Sequence, residues 1–144
     1  MKKSVIYSVL FIFAGIVSMQ AQSVIGKWKT IDDETGAAKS VVEIYQANGK
    51  VYGKVIQILE KGKEDKLCDQ CKGDKKNKPI KGMVIIDGLS KNDSDWDGGK
   101  ILDPKTGKEY KCTISLENEN KLKVRGYVGF SLLGRTQYWT RIKE

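Results

Sequence analysis

From Val24 onward, apolar and polar residues alternate in short runs broken by Gly, Asn, Asp and Pro. No run carries a 3.6-residue apolar period over a helical length. The alternation predicts eight strands: Val24 to Ile31, Ser40 to Gln46, Val51 to about Leu59, Met83 to Leu89, Trp96 to Leu102, Lys108 to Leu116, a seventh through Leu122, Val124, Gly126 and Val128, and Gly134 to Lys143. The clearest case is Lys108 to Leu116, where Tyr110, Cys112, Ile114 and Leu116 share one face and Lys111, Thr113 and Ser115 the other. Turn chemistry separates the runs. Asn48-Gly49 accepts the positive φ angles of a tight hairpin, and Asp93 to Asp95 makes a second turn. Pro104 and Gly107 set the entry and exit of a third, and Glu117 to Asn120 forms a fourth. A lysine-rich loop from Glu60 to Lys81 is the one long connection between strands.

Sequential short turns make neighbouring strands pair antiparallel. An all-β, eight-stranded antiparallel up-and-down barrel fits the strand count and removes the exposed edges of an open meander. A β-sandwich of similar strand number is the alternative. A barrel of this size either fills its interior with side chains or holds one small ligand.

The first residues follow a different pattern. Lys2 and Lys3 precede an apolar block, Val5 to Val17, and Ser18-Met19-Gln20-Ala21 follows it. The block is shorter than the roughly 20 residues of a membrane span, so residues 1–21 read as a secretory signal peptide and 22–144 as a single β-barrel domain. The expected location is periplasmic or secreted. No cysteine closely follows the apolar block, so a lipoprotein anchor is not expected.

Composition then removes whole classes of function. The chain has no histidine, which excludes histidine bases, nucleophile systems built on histidine and His-ligated zinc. Ser-x-x-Lys, phosphate-loop and dinucleotide fingerprints are also absent from the sequence. The expectation is a protein that is not an enzyme and uses no cofactor. The net charge of +8 is uneven, since eight lysines stand against four acids between Lys61 and Lys81. Such a loop is either a solvated connection or a contact for an anionic surface of the cell envelope. Nucleic acid is not expected, because the chain lacks an ordered aromatic platform for bases. The pattern does not reveal an oligomeric state.

Three further features carry candidate chemistry. Cys68-Asp69-Gln70-Cys71 lies within the lysine-rich loop, where an exposed pair in an exported protein oxidises to a local disulfide. A redox pair, a metal knuckle completed by Cys112 and two free thiols are the alternatives, while Cys112 itself reads as a small buried hydrophobe. Asp93, Asp95, Asp97 and Gly98 reproduce the first half of a calcium loop. Pro104 stands where the bidentate glutamate should be, so these acids are weak metal candidates and a solvated turn is the better account. Gly129 to Gly134 places Phe130, Leu132 and Leu133 between glycines, as a plug for one barrel end or as a lid that touches membrane.

Gly26-Lys27-Trp28 together with Arg141 resembles the Gly-x-Trp and late arginine of the calycin barrels, the lipocalin and fatty-acid-binding group. A wider resemblance covers Trp96 to Pro104, Gly107 to Tyr110, Leu122 to Gly129 and Ser131 to Arg141. These segments are similar to the bacterial domain-of-unknown-function family 2147, exported envelope proteins with a calycin-like barrel and no assigned activity. The resemblance implies that Trp28 sits at the closed end with Arg141 packed across it.

Two functions are expected to compete. In the first, the barrel binds a small amphipathic or anionic ligand. Trp28, Tyr127 and Trp139 are then candidate walls or floor, and Arg125, Arg135 and Arg141 candidate partners of its charged head. In the second, a filled barrel is a structural module of the envelope that meets a partner through residues 61–81. A redox or metal role for Cys68 and Cys71 is a third.

Overall fold

The computed structural model describes residues 23–129 and 133–143. Residues 1–22, which include the expected signal peptide, residues 130–132, with the Phe130 and Leu132 of the apolar loop, and residue 144 lie outside the described residues. Eight strands run in chain order: β1 Gly26–Ile31, β2 Ala38–Ala47, β3 Lys50–Ile58, β4 Val84–Asn92, β5 Asp95–Asp103, β6 Lys108–Asn118, β7 Lys121–Tyr127 and β8 Gly134–Arg141. Each strand pairs antiparallel with its successor, and β8 returns to β1 through Trp28 opposite Arg141 and Lys29 opposite Thr140. The result is a closed eight-stranded barrel with no sandwich edge left to cover. The only helical element among the described residues is a single 3-10 turn, Gly73–Lys75, inside the lysine-rich loop.

Closure requires the strands to coil, and register shifts supply the bends at Thr30/Ile31, Val41/Val42, Trp96/Gly99 and Leu116/Asn118. Gly99 marks a close backbone approach within the sheet, where a Cβ would run into the Asp87 carbonyl of β4. Against the sequence expectation, β2, β4, β5 and β6 run on by one to three residues where ladder hydrogen bonds continue into mostly polar residues, while β1 begins at Gly26 rather than Val24 and β8 ends at Arg141 rather than Lys143.

Two unlike ends follow from the connection lengths. Tight turns join β2 to β3, β4 to β5 and β6 to β7 at one end, where the chain also enters β1 and leaves β8. The connections β1–β2, β3–β4, β5–β6 and β7–β8 all lie at the other end, the mouth. Inward residues of the closed half form a continuous core in which Trp28, Ile44, Leu89, Ile114 and Leu122 are fully buried. Burying large apolar side chains at this density contributes roughly 1.5–3 kcal/mol each.

Candidate functional site

The inward face of β8 runs the length of the barrel. Arg141 sits at the closed end, Trp139 in the core, Gln137 above it and Arg135 at the mouth, each two residues from the next. This ladder places the sequence candidates at quite different depths.

At the closed end the Arg141 guanidinium lies 4.2 Å from the Trp28 ring centre. Its donors reach three backbone carbonyls, those of Glu119 at 2.6 Å, Ile25 at 3.0 Å and Ser23 at 2.6 Å. The Trp28 indole N–H donates to the Val24 carbonyl at 2.9 Å. Gly26 makes the seat possible: its φ is +140°, and a Cβ there would lie 2.7 Å from Arg141 Nη1. The Gly-x-Trp pattern therefore has a steric cause, since the glycine vacates the space that the guanidinium occupies over the indole two residues on. Trp28 and Arg141 lie outside the cavity described next, which corrects the expectation that they touch a ligand. The physical reason is that both are engaged in sealing the opposite end.

The mouth opens into a cavity of about 630 Å³. Its floor and walls are apolar, with Trp139, Val124, Ile101, Ile58, Ile80 and Ile85 among the lining residues. The Trp139 indole N–H donates to Gln137 Oε1 at 3.3 Å, so the ring's polar edge is satisfied inside the barrel. Gly126 lines the wall, and a Cβ there would make ordinary contact with Ile101 and Tyr110 at 3.4 and 3.5 Å.

A charged ring surrounds this opening. Lys39 bonds Asp32 at 3.0 Å and reaches Glu60 at 3.7 Å, and Lys63 bonds Glu60 at 2.8 Å. The Lys39 ammonium and the backbone N–H groups of Glu34 and Thr35 hold the Asp32 carboxyl down to about 2. Arg135 pairs with Asp33 through both Nε and Nη2, which lowers the Asp33 carboxyl and raises the guanidinium. Lys66 and Lys105 line the same rim and form no ion pair among the described residues. Sequence reasoning missed Asp32, Asp33, Lys39, Glu60, Lys66 and Lys105 as rim residues. Parity offered a signal for one of them, because Asp32 continues the inward face that carries Trp28 and Thr30.

Of the three arginines proposed for a ligand's head, only Arg135 lines the cavity. Arg125 is on the outward face of β7 and donates to Thr136 Oγ1 at 2.9 Å, across the pair it forms with β8. It is corrected to an exterior position for the same reason of parity, since Val124 and Gly126 take the inward places. Tyr127, at the mouth end of β7, and Trp139 both line the cavity.

Cys68 and Cys71 are joined by a disulfide, and both sulfurs are buried in the core. The expectation of an exposed pair is corrected. The long loop folds back on itself and packs against the β5–β6 connection, where Cys68 Sγ lies 3.5 Å from the Pro104 carbonyl oxygen. Gly107 is needed at that contact, because a Cβ would collide with the Gln70 backbone. Cys112 is a separate buried thiol on β6, pushed up to about 12 by burial. The acids Asp93, Asp95 and Asp97 do not converge: Asp95 pairs with Asn92 in a tight hairpin, and Asp97 Oδ2 accepts from Asn92 Nδ2 at 3.1 Å. Among the described residues, no group of three acids or cysteines is placed to hold a metal ion.

The profile of a bacterial family, "Uncharacterized protein conserved in bacteria (DUF2147)", matches residues 26–141, from the glycine beneath the arginine to the arginine itself. Among curated proteins none matches the sequence. One similar solved structure is described as "Protein HP1028 from the human pathogen Helicobacter pylori belongs to the lipocalin family". It superposes with a TM-score of 0.76 at 23% identity, over 86% of each chain. At that identity the likeness is one of fold.

Proposed function

The chain belongs to the DUF2147 family of bacterial proteins, and from that membership and the barrel's geometry we propose that it binds a small amphipathic ligand with an anionic head. The observation that carries this reading is the cavity of about 630 Å³ behind a rim of mixed charge, in which Lys39, Lys63 and Arg135 are paired with acids and Lys66 and Lys105 form no ion pair among the described residues. Its volume lies within the range of small-molecule sites, and an apolar interior with a few polar groups at the opening is what such sites present. The ligand's apolar part lies against Trp139, Val124 and Ile101. Its head meets Lys66 and Lys105, with Arg135 beside them. This is a binding role and not a catalytic one. The Lys2 to Ala21 leader supports an exported protein, in the periplasm or outside the cell. The alternative of a filled barrel serving only as an envelope module is weakened by the open upper half of the interior.

The test is energy transfer from Trp139 to a fluorescent polyene fatty acid, beside the matching alcohol. Saturable binding of the acid is expected. Gly126→Leu fills the cavity and abolishes it, while Lys66→Ala with Lys105→Ala weakens the acid and leaves the alcohol unchanged. Absence of saturable binding by carboxylate, sulfonate and phosphate amphiphiles alike, or undiminished binding by Gly126→Leu, overturns the reading.

A further inference from the structure

Among the described residues, the three most exposed large apolar side chains are Leu133 at 66%, Val128 at 61% and Leu67 at 45%. All three stand on mouth loops, and Val128 and Leu133 also line the cavity opening. Each is tied to the backbone hydrogen bonding of its loop. The Val128 N–H donates to the Leu133 carbonyl at 3.0 Å. Leu67 bridges to Pro79, and the next residue, the disulfide-bonded Cys68, donates its N–H to the Lys78 carbonyl at 2.8 Å. Val128 and Leu133 stand side by side across their hydrogen bond at the cavity opening, and a paired apolar exposure of this kind favours a covering surface.

The charge around them selects the surface. Between Lys61 and Lys81 eight lysines outnumber four acids. Of these lysines only Lys63 is in an ion pair among the described residues. The acids of the β1–β2 side of the mouth face Lys39 and Arg135 instead, so they do not cancel the loop. Mouth loops that expose leucine and valine beside lysines suit a deformable anionic surface. The apolar side chains meet its outer layer, while the lysine stems lie along it with their ammonium groups at the head groups. We propose that the barrel mouth docks on an anionic phospholipid bilayer, through Leu67, Val128 and Leu133 and the lysines of the β3–β4 loop. Docking there points the cavity opening at the membrane, but the contact itself does not depend on what the cavity holds.

Sedimentation of the protein, as isolated from its host, with vesicles of equimolar phosphatidylglycerol and phosphatidylcholine tests this. Binding is expected that weakens with salt and is lost on phosphatidylcholine alone. Lys72→Ala and Lys78→Ala each weaken it about fivefold. Leu133→Ser and Val128→Ser, which leave the charge unchanged, weaken it about tenfold and melt with the parent, since both side chains are exposed. Lys50→Ala and Lys91→Ala, on strand ends beside the closed-end turns, bind like the parent. Gly126→Leu also binds like the parent, so a failed ligand assay and a failed docking assay are separable. No sedimentation with anionic vesicles overturns the proposal. So does unchanged binding by the Leu133 and Val128 variants, which marks plain attraction to any polyanion or an acidic protein partner, and so does equal loss in the closed-end variants.

Discussion

Two arginines on one face of β8 make opposite uses of the same side chain. Arg141 lies over an indole and donates to three carbonyl oxygens, none of which titrates. Arg135, six residues earlier, is half exposed and pairs with a carboxylate on a loop. The first closes the barrel with fixed partners. The second stands where a partner can be exchanged for a ligand's charge or for water. The difference follows from the connections: the tight β6–β7 turn and the segment entering β1 bring backbone carbonyls close around Arg141, whereas longer loops hold side-chain acids around Arg135.

The comparison breaks most severely at Trp28. Trp28→Ala removes the largest fully buried side chain and the platform for Arg141, and a loss of about 3–5 kcal/mol is expected in denaturant unfolding. A loss below that of an ordinary surface substitution would mean that the closed end does not hold the barrel. Replacing Cys68 and Cys71 by serine is expected to cost about 3 kcal/mol, more than the roughly 2 kcal/mol of loop closure over so short a span, because the buried sulfurs also pack the long loop against the β5–β6 connection. Melting with and without reductant measures it, and the wild type under reductant should approach the double variant.

Arg141→Lys should destabilise by about 1–2 kcal/mol, since an ammonium cannot both stack on the ring and serve three carbonyls. Arg135→Lys should stay within about 0.5 kcal/mol of the parent, as expected of an exposed pair, and weaken only an anionic ligand. Equal melting of the two lysine variants would erase the contrast between the ends.

Acid sharpens the same contrast by a smaller effect. Asp32, Asp33 and Glu60 are all held below their ordinary values by Lys39, Arg135 and Lys63 respectively. For a carboxylate whose folded value is lowered, the contribution to stability is present above the unfolded value and lost as pH falls through the folded one. With Asp32 at about 2 against an ordinary 3.8, the mouth pairs fail as pH falls from about 4 towards 2. Amide exchange, corrected for its intrinsic pH dependence, should then rise in residues 32–37 and 60–63 and stay constant in 26–28. Loosening of both ends together would show that the Trp28 and Arg141 contact depends on the mouth.

Much of this molecule is local in origin. Alternation from Lys108 to Leu116, the Asn48-Gly49 turn and the parity of Trp139 with Arg141 each involve a few neighbouring residues, so strand number, antiparallel order and the inward face of β8 were legible in the sequence. The disulfide pairing was legible as one choice among several, because a Cys-x-x-Cys spacing permits the bond without saying what packs around it. What tertiary structure alone decided is where each face leads. Arg125 and Arg135 are both basic residues near strand ends, yet one faces outward onto Thr136 and the other inward at the mouth, and a single residue of register separates the two outcomes. The cavity, too, exists only as the space left where side chains of several strands fail to meet. Its rim joins Asp32, Glu60 and Arg135 from three distant parts of the chain, and no pattern along one strand encodes that meeting.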